Sequence, residues 1–281
     1  MMSIIAEHWM MILALIGAGA FAGLIAGMFG VGGGVVIVPA LYAVFGLLDI
    51  DDDVRMKAAV ATSLATIITT SMRSVLLHYR RGAVDVRILK AWVPWIMAGA
   101  FVGAFAASAA PGEALTLGFG IFIMLISLQM GFGQPDWRLR DTMPGRVPSA
   151  IIASLIGLFS AMAGIGGGVF GVLVMTMCGK PIHRAVGTAA GFGAAIGVPA
   201  TLGFIVAGWQ VKGLPIFSVG YMNLAGFVFI ATLTALMAPL GVAAAHALPV
   251  KTLRRLFAVL MFVAGVMMLR DALTAYHVLA A

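Results

Sequence analysis

Apolar runs separated by short polar connections cover the chain from end to end, at about 9–29, 33–48, 57–78, 89–109, 113–133, 149–164, 168–178, 184–207, 215–245 and 250–274. Runs near 20 residues are the length a helix needs to cross the hydrocarbon of a bilayer. The pattern therefore predicts an all-α polytopic membrane protein. The segments 149–164 and 168–178 are too short to span comfortably at about 1.5 Å per residue, so a hairpin is expected there. The longest polar connection, Gln134 to Pro148, splits the chain nearly in half.

The two halves resemble each other. GMFGVGGGVV from Gly27 is echoed by AGIGGGVFG around Gly164, which places Gly30 on Gly164 and Gly34 on Gly168. KAAVATSLA from Lys57 matches HRAVGTAAG from His183, and at the same offset Gly82 falls on Gly208. APGEALTLGF from Ala110 resembles LPVKTLRRLF from Leu248, placing Pro111 on Pro249. Four matched blocks in one order indicate an internal duplication. Repeat 1 covers about 9–133 and repeat 2 about 149–274, joined by 134–148 within a single membrane transport domain spanning 1–281.

Loop charge sets the relative orientation of the halves. The stretch from Arg80 to Lys90 holds Arg80, Arg81, Arg87 and Lys90 against Asp85, whereas its counterpart near Gly208 holds only Lys212. The turn at Pro111 carries Glu113, while the turn at Pro249 carries Lys251, Arg254 and Arg255. Asp49, Asp51, Asp52 and Asp53 follow the first broken segment; Lys180, His183 and Arg184 follow the second. Basic loops lie on the cytoplasmic side, and so does the middle connection with Arg138, Arg140 and Arg146. Each basic loop has a non-basic counterpart, which predicts two inverted-topology repeats with both termini outside. Inversion requires an odd number of net crossings per half. Each repeat is thus expected to be a Gly-broken hairpin, re-entrant or of two short helices, followed by three transmembrane helices.

The breaks carry the candidate chemistry. Leaving helical geometry in lipid strands backbone N–H and C=O groups at several kcal/mol each, so a break persists only in protein or beside an aqueous cavity. Glycine removes side chains that would hold a ligand off the backbone. A helix restarting after such a break presents free N–H donors and a partial positive charge of roughly half a unit. Two such starts converging from opposite sides make an anion site that needs no formal positive charge. Gly32, Gly33 and Gly34 with Gly166, Gly167 and Gly168 are the candidates. Close helix packing is the competing use of such glycines, but GxGGG is denser than packing needs and recurs at the matched position. Thr62 and Ser63, with Thr188 opposite Thr62, are candidate hydroxyl donors to oxyanion oxygens, against the ordinary use of such hydroxyls to bond their own helix backbone. Arg73 is either a side chain snorkelling toward the interface or an attractor of the anion at the inner mouth.

Composition narrows the classes. The chain of 281 residues is 62% hydrophobic and 10% charged, with mean hydropathy +1.11, against roughly 25% charged in soluble domains. A net charge of +7 would point to nucleic acid in a soluble protein; confined to short loops it orients the chain, and no nucleic-acid partner is expected. The first apolar stretch lacks the basic flank of a signal peptide. Gly166-x-Gly168-x-x-Gly171 matches a dinucleotide fingerprint by letters only, since no acidic residue follows at the required distance and no βαβ unit surrounds it. A P-loop fails for want of a closing Gly-Lys-Ser/Thr. No paired membrane carboxylates, zinc motif or Ser–His couple is visible, so no enzyme and no cofactor or metal is expected. The single cysteine, Cys178, reads as structural, Gln129 and Asn223 as buried amides, and Trp92, Trp95 and Trp209 as interface anchors.

GMFGVGGGVVIVPAL, its echo AGIGGGVFGVLVM, the AVATS block with HYRRGAVD, and LPVKTLRRLFAVLMFVAGVMML together resemble the TauE/SafE sulfite exporter family, within the 4-toluene sulfonate uptake permease group. The resemblance spans almost the whole chain. It implies a prokaryotic-type secondary transporter in the plasma membrane for sulfur-containing or organic anions such as sulfite, sulfonates and sulfoacetate. Its partners would be the small anion, the bilayer, a coupling proton or sodium ion, and in an oligomer further copies. An anion channel and a non-transporting scaffold are the alternatives. Gly187-Thr188-Ala189 stands where repeat 1 has Ala61-Thr62-Ser63, so the hydroxyl of Ser63 has no counterpart and the site departs from symmetry.

Overall fold

The computed structural model describes residues 2–29, 33–48, 50–132, 142–247 and 249–275. Ten helices follow the apolar runs: α1 (Met2–Phe29), α2 (Gly34–Gly46), α3 (Asp52–Arg80), α4 (Val86–Ala109), α5 (Gly112–Phe132), α6 (Arg146–Met162), α7 (Gly168–Met177), α8 (Ile182–Ala207), α9 (Leu224–Ala247) and α10 (Val250–Ala275). Six helices among the described residues are long and apolar enough to cross a membrane, and they lie in α3, α4, α5, α8, α9 and α10. Three fall in each half, after a Gly break in each. The helices extend beyond the apolar runs where polar residues suit their ends. Asp51 caps α3 through a bond from the Asp53 N–H at 2.9 Å, and Asp52 and Asp53 sit in the first turn, where the helix dipole favours acids.

The apolar run 215–245 is not one helix. A two-stranded antiparallel ladder, β1 (Ser218–Val219) with β2 (Met222–Asn223), precedes α9. Pro215 and the positive φ of Gly220 suit a turn, and Asn223 then caps α9 by accepting the Gly226 N–H at 2.7 Å. Trp92 is also not an interface anchor: it is buried and stacks on Phe192 at 5.8 Å between ring centroids. Trp95 and Trp209 are exposed, and Gln129 is exposed rather than buried.

Packing follows an exchange rule. The first helix of each half lies on the fourth helix of the other, α1 on α9 and α6 on α4. The equivalent pairs α3–α8 and α5–α10 pack on each other, and both run antiparallel: Gly197 meets Leu64 while Gly187 meets Ala83, and Gly120 meets Leu269 while the Ser127 hydroxyl donates to Ala258 O at 2.9 Å. Small residues permit these approaches. A Cβ on Gly99 would lie 2.0 Å from Ser154 O, and one on Gly157 would lie 2.1 Å from Ile96 O. Without a hydrophobic drive between helices in lipid, this closeness is what supplies van der Waals contact. The α3–α8 crossing forms the middle of the buried core and carries both breaks.

Candidate functional site

The second break is built by two chain reversals. Gly164, at φ 67°, ends α6 in a Schellman arrangement, its own N–H bonding Ala161 O at 3.2 Å and the Ile165 N–H bonding Ser160 O at 2.9 Å. Gly167, at φ 65°, is the N-cap of α7 and its carbonyl accepts the Gly171 N–H at 2.8 Å. A residue with a Cβ would be strained at both positions. Among the described residues, the N–H groups of Gly168, Val169 and Phe170 meet no acceptor, as expected of a first helical turn without a side-chain cap. The first break ends alike, with Gly33 at φ 78° as N-cap of α2 and bonds from Val36 and Ile37 N–H to Gly33 O at 2.9 and 2.8 Å. Gly32 lies outside the described residues.

The two breaks meet. A Cβ on Gly34 would lie 2.7 Å from Gly164 O and 3.0 Å from Ile165 Cα, so the start of α2 rests on the second break. Ser63 of α3 donates its hydroxyl to Gly164 O at 2.8 Å and holds the junction. Ile67, one turn on, touches the Cβ positions of Gly34, Gly166 and Gly193.

The two helix starts nevertheless differ. Gly33 to Val38 are buried, and α2 is enclosed through most of its length. Gly168 has open space where a Cβ would be, Gly168 to Phe170 are half-buried, and only Gly171 and Met175 of α7 are buried. The neighbours of Gly167 are Ile196, Ser160 and Ile156. Without a charged side chain among the described residues touching Gly167, the attraction for an anion would come from the amides and the dipole.

The paired threonines do matched work. The Thr62 hydroxyl accepts the Asn223 N–H at 2.9 Å, and the Thr188 hydroxyl accepts the Asp85 N–H at 2.8 Å. Asn223 and Asp85 each stand immediately before the fourth helix of the opposite half, so each threonine fixes the start of that helix. Both hydroxyls are fully buried. Arg73 is exposed on α3 and meets no hydrogen-bond or ion-pair partner among the described residues, away from the junction of the breaks.

Two further polar features escaped the sequence reading. Ser71 inserts its hydroxyl into the α8 ladder, donating to Ala190 O and accepting the Ala194 N–H at 2.8 Å. A cleft of about 460 Å³ opens beside Asp85, Arg87, Lys180 and Arg184. There Asp85 caps α4 through Arg87 and Ile88 N–H at 3.2 Å and pairs with Lys180 at 3.3 Å. Burial pushes the Asp85 carboxyl up, but the Ile88 N–H and the Lys180 ammonium outweigh it and hold the carboxyl below its ordinary range. The sequence signals for these features were Asp85 ahead of an apolar run and a serine closing the Thr69-Thr70-Ser71 run.

Known proteins resemble the chain over nearly its whole length. The chain is 32% identical over 257 residues to a probable membrane transporter protein of Haemophilus influenzae, covering 92% of this chain and 97% of that one. It is 24% identical over 269 residues to a probable membrane transporter protein of Methanocaldococcus jannaschii, covering 94% and 97%. No solved structure matches it. The sulfite exporter TauE/SafE family model matches residues 15–268, which take in both breaks, five of the six long helices whole and α10 as far as Met268, and the chain therefore belongs to the TauE/SafE family of membrane proteins, a membrane transporter by its kinship.

Proposed function

We propose that the protein is a secondary transporter of small sulfur-containing or organic anions, of the sulfite, sulfonate and sulfoacetate type, working by alternating access in the plasma membrane. The observation that carries this reading is the meeting of the two Gly breaks at the α3–α8 crossing, with one helix start enclosed and its equivalent open. The antiparallel α3–α8 and α5–α10 pairs support two inverted repeats, and the basic loops support termini on the outside. In that frame, the enclosed α2 start and the open α7 start exchange roles between inward- and outward-facing states. Gly33, Gly34, Gly166, Gly167 and Gly168, with Gly32, bring backbone close to the anion. Thr62, Ser63 and Thr188 keep the breaks and neighbouring helix starts in register, and Arg73 draws anions to the cytoplasmic mouth. A proton or sodium gradient drives the cycle.

Counterflow in proteoliposomes tests the reading. Labelled sulfite is expected to accumulate transiently against unlabelled sulfite or methanesulfonate inside, and Gly168→Leu is expected to abolish the overshoot. Conductance without counterflow would make the protein a channel, and neither would make it a scaffold. Repeating the assay across pH, with and without sodium, identifies the coupling ion.

A further inference from the structure

Ser160 is fully buried in α6, and its hydroxyl has no hydrogen-bond partner among the described residues. A serine inside a helix ordinarily returns its hydroxyl to the carbonyl one turn back, as Thr66 does to Thr62 O at 3.0 Å. Ser160 makes no such bond. Its Oγ instead lies 3.3 Å from where a Cβ on Gly167 would sit, at the N-cap of α7 and one residue before the open position at Gly168. Two other buried hydroxyls, Thr201 and Thr234, also lack partners, but they lie on α8 and α9, away from the breaks.

We infer that the Ser160 hydroxyl and the free amides of Gly168, Val169 and Phe170 form one oxyanion subsite, contributed by the second half alone. The inference rests on the transport reading above and names the part of the break that recognises the head group. Three observations converge on it: unpaired donors at the first turn of a ten-residue helix, an unpaired buried hydroxyl beside its N-cap, and space at Gly168. The first half cannot supply the same set. Ala26 occupies the position matched to Ser160, the Ser63 hydroxyl is committed to Gly164 O, and the start of α2 is filled by the Gly164–Ile165 backbone. A group of the SO3 type suits the donors, since one oxygen takes the hydroxyl hydrogen while the others face the amides. A carboxylate has two oxygens and leaves part of the set unpaired, which is how buried donors discriminate between ligands.

Isothermal titration of the purified full chain with sodium sulfite, sodium methanesulfonate and sodium acetate at constant ionic strength tests this. Ser160→Ala is expected to weaken sulfite and methanesulfonate binding by about tenfold or more, the worth of a hydrogen bond to a charged group, and to narrow the preference over acetate. Thr234→Ala, which removes an equally buried and unpaired hydroxyl elsewhere, is expected to leave both unchanged. Should Ser160→Ala fail to fold, Ser160→Cys keeps the shape with a weaker donor and carries the comparison. Wild-type affinity in the Ser160 variant, with binding lost in Gly168→Leu, would overturn the role of Ser160 and leave the transport reading standing. No binding of sulfite or methanesulfonate by the wild type would overturn both.

Discussion

Single hydroxyls in this chain divide into those that hold backbone and those left free. Thr62 and Thr188 each accept one N–H from the opposite half, so replacing either by valine strands a buried donor. Thr188→Val is expected to cost about 1–3 kcal/mol of stability, measured as a lower midpoint in detergent unfolding, with anion affinity unchanged in the fraction that folds. An affinity loss without a stability loss would put the hydroxyl on the ligand. Glycine roles separate in the same manner. At Gly34 a Cβ meets the Gly164 carbonyl, and Gly34→Val is expected to lose about 1–3 kcal/mol by overpacking. At Gly168 space is open, and Gly168→Ala is expected to keep the wild-type midpoint. The sequence showed the density and recurrence of these glycines. It could not show which start was enclosed, because that depends on where Ile165 and Gly164 lie in space. Likewise Thr62 and Thr188 were recognisable as a matched pair, but their partners Asn223 and Asp85 are distant in sequence and differ from each other in type.

At the scale of elements, the helices were legible wherever apolar periods ended in caps. Asp51 and Asp85 mark the starts of α3 and α4. The hairpin before α9 was hidden because Val219, Tyr221 and Met222 are apolar enough to extend the run on composition alone. Capping makes the α4 start pH-sensitive. The Asp85 carboxyl is held below its ordinary value, so its contribution is fully present above about pH 4, the unfolded carboxylate range, and is lost as pH falls through the lower folded value. Asp85→Ala is expected to cost about 0.5–2 kcal/mol at neutral pH and to flatten the acid limb of the stability profile. An unchanged acid limb would remove Asp85 from that role. Ser71 bonds both Ala190 O and the Ala194 N–H, the two partners of one α8 rung, and so ties α3 to α8 at that point.

For the whole molecule, the inverted arrangement proposed from the loop charges is supported by the antiparallel α3–α8 pair. The only cysteine is Cys178, so a Cys178→Ser background accepts single probes. Arg81→Cys is expected to react with a membrane-impermeant maleimide only from the cytoplasmic face, and Lys212→Cys only from the opposite face. Labelling of both from one side would end the inverted arrangement. Duplication and charge asymmetry are the sequence signals behind that proposal. The unequal enclosure of α2 and α7 was not readable from the chain, because the two halves carry the same motif and differ only in what packs upon it. The central claim, that an anion binds where α7 restarts, is tested most directly by equilibrium binding of radiolabelled sulfite to purified wild type and Gly168→Leu, with both unfolding midpoints recorded. Saturable binding to the wild type and none to an equally stable Gly168→Leu is the expected result; equal binding to both would contradict it.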